Sequence, residues 1–560
     1  MSSQRRVFII SLDGATFSVL NRLIQQGYMP NVGALMSRSA VRELESVIPP
    51  VTAPAWTSFM TGKHPNKHGI LDFSHFNPDT YSWGINNARN IKSKTLWQIL
   101  SDRGRRVIVL NLPYTYPPYP VNGILVSGWD APFTEKSFSE PACVSEQILQ
   151  RFEDYKTNLW VSALQPLRSD GQFHEFTNRL KKGFEQQAQI AIDLLSQEPW
   201  DVFMVHFQQT DWIQHKLWNW IERACVASDD HSETVEATRD CYRHFDEWVG
   251  NLLERVDSPQ VWTILLSDHG FGRLMGNINA NQYLKEWGYL SVLPQAEDRF
   301  ADLKKLIKHS QYEPLRRVYR SVAAARKHRI ASDTPAKEHD SWADNAQSVM
   351  KSRGATWDWE RTKAALVYAY QMGFVYINVR GRGPQGIVDP GQQYEAIVAD
   401  LLERFAGLRH PLTGQKLLQA AVRVGDVYPP ARNSVFLPDI VLIPVDGYGF
   451  AFSLSEAPPA VSEEGTHRHN GVLVMCGEGV TTTNTGPTPN LIDVAPTILN
   501  LLGLPVPSDM DGRVLESLVD SGSPVRYEEV DSQVVSFASA YDPEEEDIVA
   551  QRLKGLGYLD

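Results

Sequence analysis

Short apolar runs bounded by turn residues alternate along the chain with segments whose apolar positions recur at helical spacing. The runs predicted to be strands are Val7–Leu12, Val107–Leu110, Val202–His206, Trp262–Leu266, Ile440–Ile443 and Val472–Cys476. The predicted helices are Ser18–Gln26, Asn31–Arg38, Thr95–Arg103, Phe184–Ser196, Tyr242–Arg255, Tyr394–Phe405 and Leu491–Leu502. This alternation predicts an α/β protein with a largely parallel sheet.

Two regions depart from this pattern. Residues 295–355 are basic, polar and poor in strand signals, which predicts a helical insertion or cap, although a solvated surface excursion fits equally well. Residues 1–525 are expected to form one domain that contains this insertion. Residues 526–560 read as an acidic tail with a short helix near its end.

Composition narrows the classes of protein to consider. The 560 residues are 42% hydrophobic and 21% charged, which is ordinary globular composition. A net charge of −12 argues against a nucleic-acid-binding surface, so an anionic substrate would need arginines or metal cations to bind it.

Four scattered cysteines without a CxxC pair suit a reducing compartment. No apolar stretch approaches a transmembrane length, so we expect a cytoplasmic protein with no membrane attachment. The sequence gives no indication of the oligomeric state.

Ligand-type residues follow two of the predicted strands. In open α/β sheets, ligands bind beyond the carboxyl ends of the strands. Asp13 follows the first strand, although Asp-Gly by itself is typical of a turn. Asp268 and His269 follow the apolar string TILLS. Burying a carboxylate there is unfavourable unless a positive charge meets it, so this pair predicts a metal site.

A second pair of ligand-type residues has helical spacing. Asp211 and His215 come just after the strand Val202–His206 and are four residues apart. In a helix they would share one face and could bind one metal ion. The spacing is common by chance, and a helix-capping Asp with a half-buried His explains it as well.

A threonine stands in an unusual proline-rich loop, IPPVTAPAWTSFMTGKHPNKHGILDF, at residues 48–73. Prolines bracket Thr52, and an amphipathic stretch is predicted from about Ala55 to Thr61. A hydroxyl at a helix N-terminus is most often an N-cap. The same position also directs backbone N–H groups at a bound anion. A threonine nucleophile would need a base or a metal to become reactive.

The late string GTHRHNG, at residues 465–471, offers His467 or His469 as a further ligand, or it is a polar surface loop. With one late histidine the set holds three carboxylates, three imidazoles and a hydroxyl, which suffices for two divalent cations with open positions. Two such ions about 4 Å apart can hold both the attacking and leaving oxygens of an in-line displacement. They would also explain how an acidic protein binds a phosphate ester.

The order of these motifs resembles the alkaline phosphatase superfamily, and within it the type I phosphodiesterase/nucleotide pyrophosphatase branch. The resemblance spans roughly residues 5–515 and rests on LDG, the threonine loop, TDxxxH, SDHG and GTH. It implies a three-layer α/β/α sandwich with a mostly parallel central sheet, and a small-molecule phosphate ester as substrate. It also implies a metal-activated Thr52 that forms a phosphothreonine intermediate, which water then hydrolyses without a protein general base. The implied metal sites are Asp13, Thr52, Asp268 and His269 for one ion, and Asp211, His215 and His467 for the other.

His467 is preferred to His469 because the late ligand of the family follows Gly-Ser/Thr, as it does here. Mixed Asp and His ligands favour Zn²⁺, and Mn²⁺ or Fe is compatible with them. In the nucleotide-pyrophosphatase branch Phe-Pro-Asn-His follows the threonine. Here Ala53, Pro54, Ala55 and Trp56 follow it, so that side-chain amide is absent.

Other functions are compatible with the same superfamily. We expect a phosphodiesterase or nucleotide pyrophosphatase, with a phosphomonoesterase, a phosphomutase or a sulfatase-like hydrolase as alternatives. Sulfatases need Cys/Ser-x-Pro-x-Arg, whereas this chain has Thr-x-Pro-x-Trp. An alternative of another class is a non-catalytic metal- or ligand-binding protein on this fold. All seven positions are filled, which favours an enzyme.

Overall fold

The computed structural model describes residues 5–132, 137–155, 170–226, 230–293, 357–429, 436–482, 486–522, 524–529, 541 and 543–555. The helical insertion predicted at residues 295–355 lies outside this part of the chain. The last five residues of the predicted tail lie outside it as well.

The strands in chain order are β1 Arg6–Leu12, β2 Ala40–Glu45, β3 Ser74–Asn77, β4 Ser82–Ile85, β5 Val107–Leu112, β6 Gly123–Ser127, β7 Ser139–Glu140, β8 Val202–Phe207, β9 Val261–Leu266, β10 Gly270–Arg273, β11 Gly276–Ile278, β12 Ala364–Ala369, β13 Gly373–Ile377, β14 Leu418–Arg423, β15 Ile440–Pro444, β16 Tyr448–Phe450, β17 Gly465–Arg468, β18 Asn470–Cys476, β19 Val506–Pro507 and β20 Tyr527–Glu528.

The helices are α1 Phe17–Gln25, α2 Pro30–Ser37, α3 Thr52–Thr61, α4 Pro65–His68, α5 Leu96–Asp102, α6 Ala142–Arg151, α7 Asp170–Gln197, α8 Gln209–Val226, α9 Glu233–Val256, α10 Ala280–Glu286, α11 Gln392–Ala406, α12 Val424–Val427, α13 Val494–Leu501 and α14 Pro543–Gly555. Each predicted helix has a counterpart here, and α7 and α9 begin well before their predicted first residues.

The central sheet has eight strands in the order β2-β18-β9-β1-β8-β5-β6-β7. Strands β9, β1, β8, β5 and β6 are parallel, while β18 and β7 run antiparallel to their neighbours. In β1 the residues Val7 to Ile10 are completely buried. Such continuous burial requires cover on both faces of the sheet and explains the unbroken apolar runs in the sequence.

Helices form two groups, as a three-layer α/β/α sandwich requires. Helices α1, α2, α7, α8 and α9 pack together, and α3 packs with α5 and α13. The fold is therefore α/β with a mostly parallel central sheet, as the sequence predicts. No helix in the described part of the chain is long and apolar enough to cross a membrane.

One predicted strand belongs to a separate sheet. Strand β15 pairs antiparallel with β13 and β14 in a four-stranded sheet of order β12-β13-β15-β14. Near the C-terminus, the short helix of the predicted tail is present as α14. It contacts β4, and its Arg552 donates to the carbonyl oxygens of Trp129 and Ala131, which follow β6.

Candidate active site

Three aspartates meet at the carboxyl edge of the central sheet. Asp13 follows β1, Asp268 follows β9, and Asp211 lies in the first turn of α8, just after β8. Because β9, β1 and β8 are parallel neighbours, their ends lie side by side. Gly14 turns the chain there with a φ of +66°, a conformation that favours glycine. All three carboxylates are buried.

Thr52 is the first residue of α3, and the N-cap position belongs to Val51 without a side-chain cap. The threonine is therefore not an N-cap, which was the simpler explanation of its position. Its Oγ1 lies 3.5 Å from His269 Nε2, inside the protein. The predicted amphipathic character of this stretch is wrong, because every residue of α3 is buried.

A first group of ligand-type side chains consists of Asp13, Asp268 and His269. His269 Nε2 lies 3.5 Å from Asp13 Oδ1 and 3.3 Å from Asp268 Oδ2. Among the described residues, no N–H or hydroxyl donates a hydrogen bond to either of these two carboxylate oxygens. A buried carboxylate oxygen without a donor is unfavourable, so these oxygens are suited to a cation.

A second group consists of Asp211, His215 and His467. Asp211 Oδ1 lies 3.4 Å from His215 Nε2 and 3.3 Å from His467 Nε2. The two Nε2 atoms are 3.0 Å apart. Asp211 and His215 share one face of a helix, as the spacing predicts. The rings of His467 and His269 stack with centroids 3.5 Å apart, so the two groups are contiguous.

The structure gives His467 a different setting from a polar surface loop. Gly465–Arg468 is strand β17, which pairs antiparallel with β10 directly after Asp268 and His269. The hairpin-like pairing carries His467 from a distant part of the sequence to the edge of the central sheet. The alternative of a surface loop is wrong, because His467 is buried.

Backbone carbonyls fix the proton positions of two imidazoles. His269 Nδ1 lies 3.1 Å from the carbonyl oxygen of Gly270, and His467 Nδ1 lies 3.0 Å from that of Pro50. A carbonyl only accepts, so each Nδ1 carries the proton and donates it. Each Nε2 therefore presents its lone pair to the cluster, which is the state a metal ligand requires.

The electrostatics of the cluster also favour cations. Burial, and then the carboxylates of Asp268 and Asp211, raise the pKa of Asp13 well above its usual range. Burial and then Asp211 raise the pKa of Asp268 in the same way. Burial, followed by the neighbouring His467, holds the pKa of His269 well below its ordinary value, so its ring is neutral. Three carboxylates and three imidazoles therefore share one buried region, where divalent cations would favour the ionised form of the carboxylates.

The distances fit metal ligation. Ligands about 2.0 Å from a tetrahedral Zn²⁺ lie roughly 3.3 Å from one another. The separations within both groups, from 3.0 to 3.5 Å, are close to that value. Residues of both groups satisfy the geometric requirement for a shared ion: Asp13, Asp268 and His269 in one case, and Asp211, His269 and His467 in the other. We refer to the two groups together with Thr52 as the strand-edge cluster.

Two residues of this region escape sequence reasoning. Trp56 Nε1 donates to Asp13 Oδ2 at 2.8 Å. The hydroxyl of Tyr370 lies 3.4 Å from His215 Nε2, and its ring stands perpendicular to that of His467. Tyr370 comes from the turn between β12 and β13, far from any recognised motif. Trp56 lies inside the threonine loop, but an apolar residue in a helix carries no sign of a polar role.

The fold and the strand-edge cluster together define the class of the protein as a phosphoric ester hydrolase of the alkaline-phosphatase-like kind. Comparison with known families makes the assignment specific. The family model described as type I phosphodiesterase / nucleotide pyrophosphatase matches residues 7–472. The chain belongs to this family, and the resemblance seen in the sequence is confirmed.

Solved structures share the fold at low sequence identity. A phosphonoacetate hydrolase from Sinorhizobium meliloti 1021, in complex with phosphonoformate, is 15% identical, with a TM-score of 0.50, over 88% of this chain and 94% of that one. The murine ectonucleotide pyrophosphatase / phosphodiesterase 5, as an inactive variant in complex with AMP, is 13% identical, with a TM-score of 0.50, over 92% of this chain and 100% of that one. These likenesses support the fold.

Proposed function

We propose that this protein hydrolyses phosphodiesters of small molecules at the strand-edge cluster, with Thr52 as the nucleophile and two divalent cations as cofactors. The observation that carries the proposal is the cluster of three buried carboxylates and three imidazoles, in which His269 Nε2 lies 3.5 Å from the hydroxyl of Thr52. Two of those carboxylates, Asp13 and Asp268, have an oxygen without a donor among the described residues.

The positions of the ligand-type residues indicate which of them would hold each ion. One ion would be held by Asp13, Asp268 and His269 with Thr52, and the other by Asp211, His215 and His467. When bound, the ions would supply positive charge that favours the deprotonated Thr52 hydroxyl and offsets the charge of the phosphoryl group. Zn²⁺ is the proposed ion because it accepts mixed Asp and His ligands.

The proposed reaction at Thr52 has two steps. Thr52 Oγ1 attacks phosphorus, an Oγ1–P bond forms, and the P–O bond to the first alcohol breaks as that alcohol takes up a proton. Water attacks the phosphothreonine next, the Oγ1–P bond breaks, and Thr52 regains its proton. The position of Thr52 at the start of α3 places the positive end of a buried helix beside the phosphoryl oxygens.

The experiment that tests this function compares hydrolysis of bis-p-nitrophenyl phosphate with that of p-nitrophenyl phosphate. Each is measured before and after treatment with a chelator, and again after Zn²⁺ or Mn²⁺ is restored. We expect faster cleavage of the diester, loss of both activities with chelator, and recovery with metal. Preference for the monoester would replace the proposal with a phosphatase or mutase. Activity that resists chelation would remove the metal role, and p-nitrophenyl sulfate serves as the sulfatase control.

The proposed location is the cytoplasm. All four cysteines, Cys143, Cys225, Cys241 and Cys476, are free thiols. Free thiols persist in reducing compartments, which is the observation that supports this part of the proposal.

A further inference from the structure

Trp56 occupies the same face of α3 as Thr52, one helical turn further along. Its side chain is completely buried, and its indole Nε1 donates to Asp13 Oδ2 at 2.8 Å. An N–H donated to an ionised carboxylate is about twice as strong as a bond between neutral groups. One short helix therefore carries both the hydroxyl of Thr52 and a donor to Asp13.

The two oxygens of Asp13 have different surroundings. Oδ2 accepts from Trp56, and His206 Nε2 stands 3.6 Å from the same atom. His206 Nε2 is closer to Gln208 Oε1, at 2.9 Å, so the hydrogen bond of this nitrogen goes to the glutamine. Oδ1 faces His269 Nε2 and receives no N–H or hydroxyl from the described residues. Trp56 thus occupies one oxygen and leaves the other directed into the strand-edge cluster.

The His206 ring also holds the indole in place. The planes of the two rings are nearly perpendicular, at 82°, with centroids 5.0 Å apart. On its other side His206 Nδ1 lies 2.9 Å from the hydroxyl of Ser11, which is its partner in the register of β1 and β8. The indole is therefore packed against the central sheet, and its N–H direction is fixed by that packing.

We propose that Trp56 is a positioning residue that holds Asp13 as a one-oxygen metal ligand and fixes the distance between that ligand and Thr52. This inference rests on the metal sites of the proposed function. The hydrogen bond prevents the carboxylate from rotating and from offering both oxygens to one ion. Partners of this kind behind a ligand typically change metal affinity roughly 10- to 100-fold when they are removed.

A second buried tryptophan shows that the hydrogen bond is not simply required by burial. Trp97 on α5 is as completely buried as Trp56, and its Nε1 has no acceptor among the described residues. Both indoles contact Phe59, so both belong to the same apolar layer. Trp97→Phe is therefore a matched control that removes a buried indole without removing a hydrogen bond.

The test measures Zn²⁺ affinity by competition with a chromophoric chelator. Wild type, Trp56→Phe and Trp97→Phe are stripped of metal, reconstituted and titrated, and the thermal unfolding of each metal-free protein is recorded. We expect wild type and Trp97→Phe to bind two ions. We expect Trp56→Phe to bind one of them roughly 10- to 100-fold more weakly, with a similar loss of thermal stability in both variants.

Two results would overturn the inference. In one, Trp56→Phe binds both ions as wild type does. In the other, Trp97→Phe loses affinity to the same extent, which would show a packing effect. A wild type that binds fewer than two ions would instead refute the metal assignment of the proposed function, and this inference with it. Should Trp56→Phe not fold, 3-benzothienylalanine at position 56 keeps the indole shape without its N–H, and the same expectations apply.

Discussion

Two buried carboxylates in this protein have opposite surroundings. Asp439, beside the small four-stranded sheet, accepts hydrogen bonds at both of its carboxylate oxygens. Arg382 Nη1 lies 2.7 and 2.8 Å from the two oxygens. The hydroxyl of Tyr394 donates to one of them at 2.9 Å, and the backbone N–H of Ile377 donates to the other at 2.7 Å. Asp13, at the edge of the central sheet, keeps one oxygen without such a donor.

The charges that surround these two carboxyls also differ. Burial raises the pKa of both carboxyls, but Arg382 opposes the rise at Asp439, whereas Asp268 and Asp211 add to it at Asp13. A satisfied carboxylate of the first kind stabilises the fold. A carboxylate of the second kind is unfavourable in the protein alone, and the proposed function accounts for it through a bound cation. The two carboxylates therefore differ in their hydrogen-bond partners and in the charges around them, although both are buried.

The largest expected effect tests whether the carboxylates and imidazoles of the strand-edge cluster serve the hydroxyl of Thr52. Thr52→Val preserves the shape of the side chain and removes its oxygen. We expect diesterase activity to fall by roughly 10³- to 10⁶-fold, because removal of a nucleophile leaves only binding and electrostatic contributions. Zn²⁺ stoichiometry should change far less, since the Asp and His ligands remain. Thr52→Ser is the matched control, and an active Thr52→Val would remove Thr52 from its role.

The direct test of the comparison measures Zn²⁺ affinity and unfolding free energy in one variant of each kind of carboxylate. Asp268→Asn should weaken Zn²⁺ binding by at least about 100-fold. Its metal-free form should unfold no earlier than wild type, because one of three mutually repelling carboxylates is gone. Asp439→Asn should keep both ions and lose roughly 2–3 kcal/mol of unfolding free energy, because it weakens a charge-assisted network. Elemental analysis and urea unfolding of both variants would show whether the two effects separate. Equal metal loss in both variants would end the distinction.

A smaller effect is expected from the second group of ligands. His215→Ala removes one imidazole and should release one of two Zn²⁺ ions, while the ion held by Asp13, Asp268 and His269 stays. His75→Ala is the control, because that histidine lies on β3 and bonds to Asn86 instead. Elemental analysis that finds two ions in His215→Ala would show that the second group is assigned wrongly.

The smallest effect concerns Tyr370, which the small sheet contributes to the cluster. Tyr370→Phe keeps the ring against His467 and removes the hydroxyl. We expect kcat/KM for the diester to fall about tenfold, equivalent to roughly 1.4 kcal/mol, with two ions still bound. Tyr368→Phe, on the same strand pair, removes a hydroxyl that accepts from Phe76 and should leave kcat/KM unchanged. Equal effects of the two variants would make Tyr370 a residue of the fold only.

The sequence predicts those features that depend on local pattern. The strands β1, β8 and β9 are mostly apolar runs, so their carboxyl ends, and Asp13 and Asp268 beyond them, follow from the pattern. The spacing of Asp211 and His215 also predicts their shared helix face. The roles of these residues as metal ligands stay a prediction until metal is measured.

Contacts between distant segments escape such reasoning. Asp439 and Arg382 are 57 residues apart, and neither has a neighbour that marks it as one half of a pair. Tyr370 reaches His215 from the turn between β12 and β13, 155 residues away along the chain. Trp56 has the appearance of any buried helix residue, since the direction of its N–H depends on where Asp13 lies. Such positions are fixed by tertiary packing, which a single sequence does not display.

The place of β18 in the central sheet has a consequence for how activity arises during synthesis. This strand comes late in the chain yet lies between β2 and β9. Until the ribosome has released residues 470–476, β2 has no partner in that sheet, and His467, three residues before β18, has not reached Asp211. A nascent or truncated chain that ends before residue 467 therefore cannot complete the second group. Under the proposed function, cleavage of phosphate esters is therefore restricted to chains whose translation has passed His467.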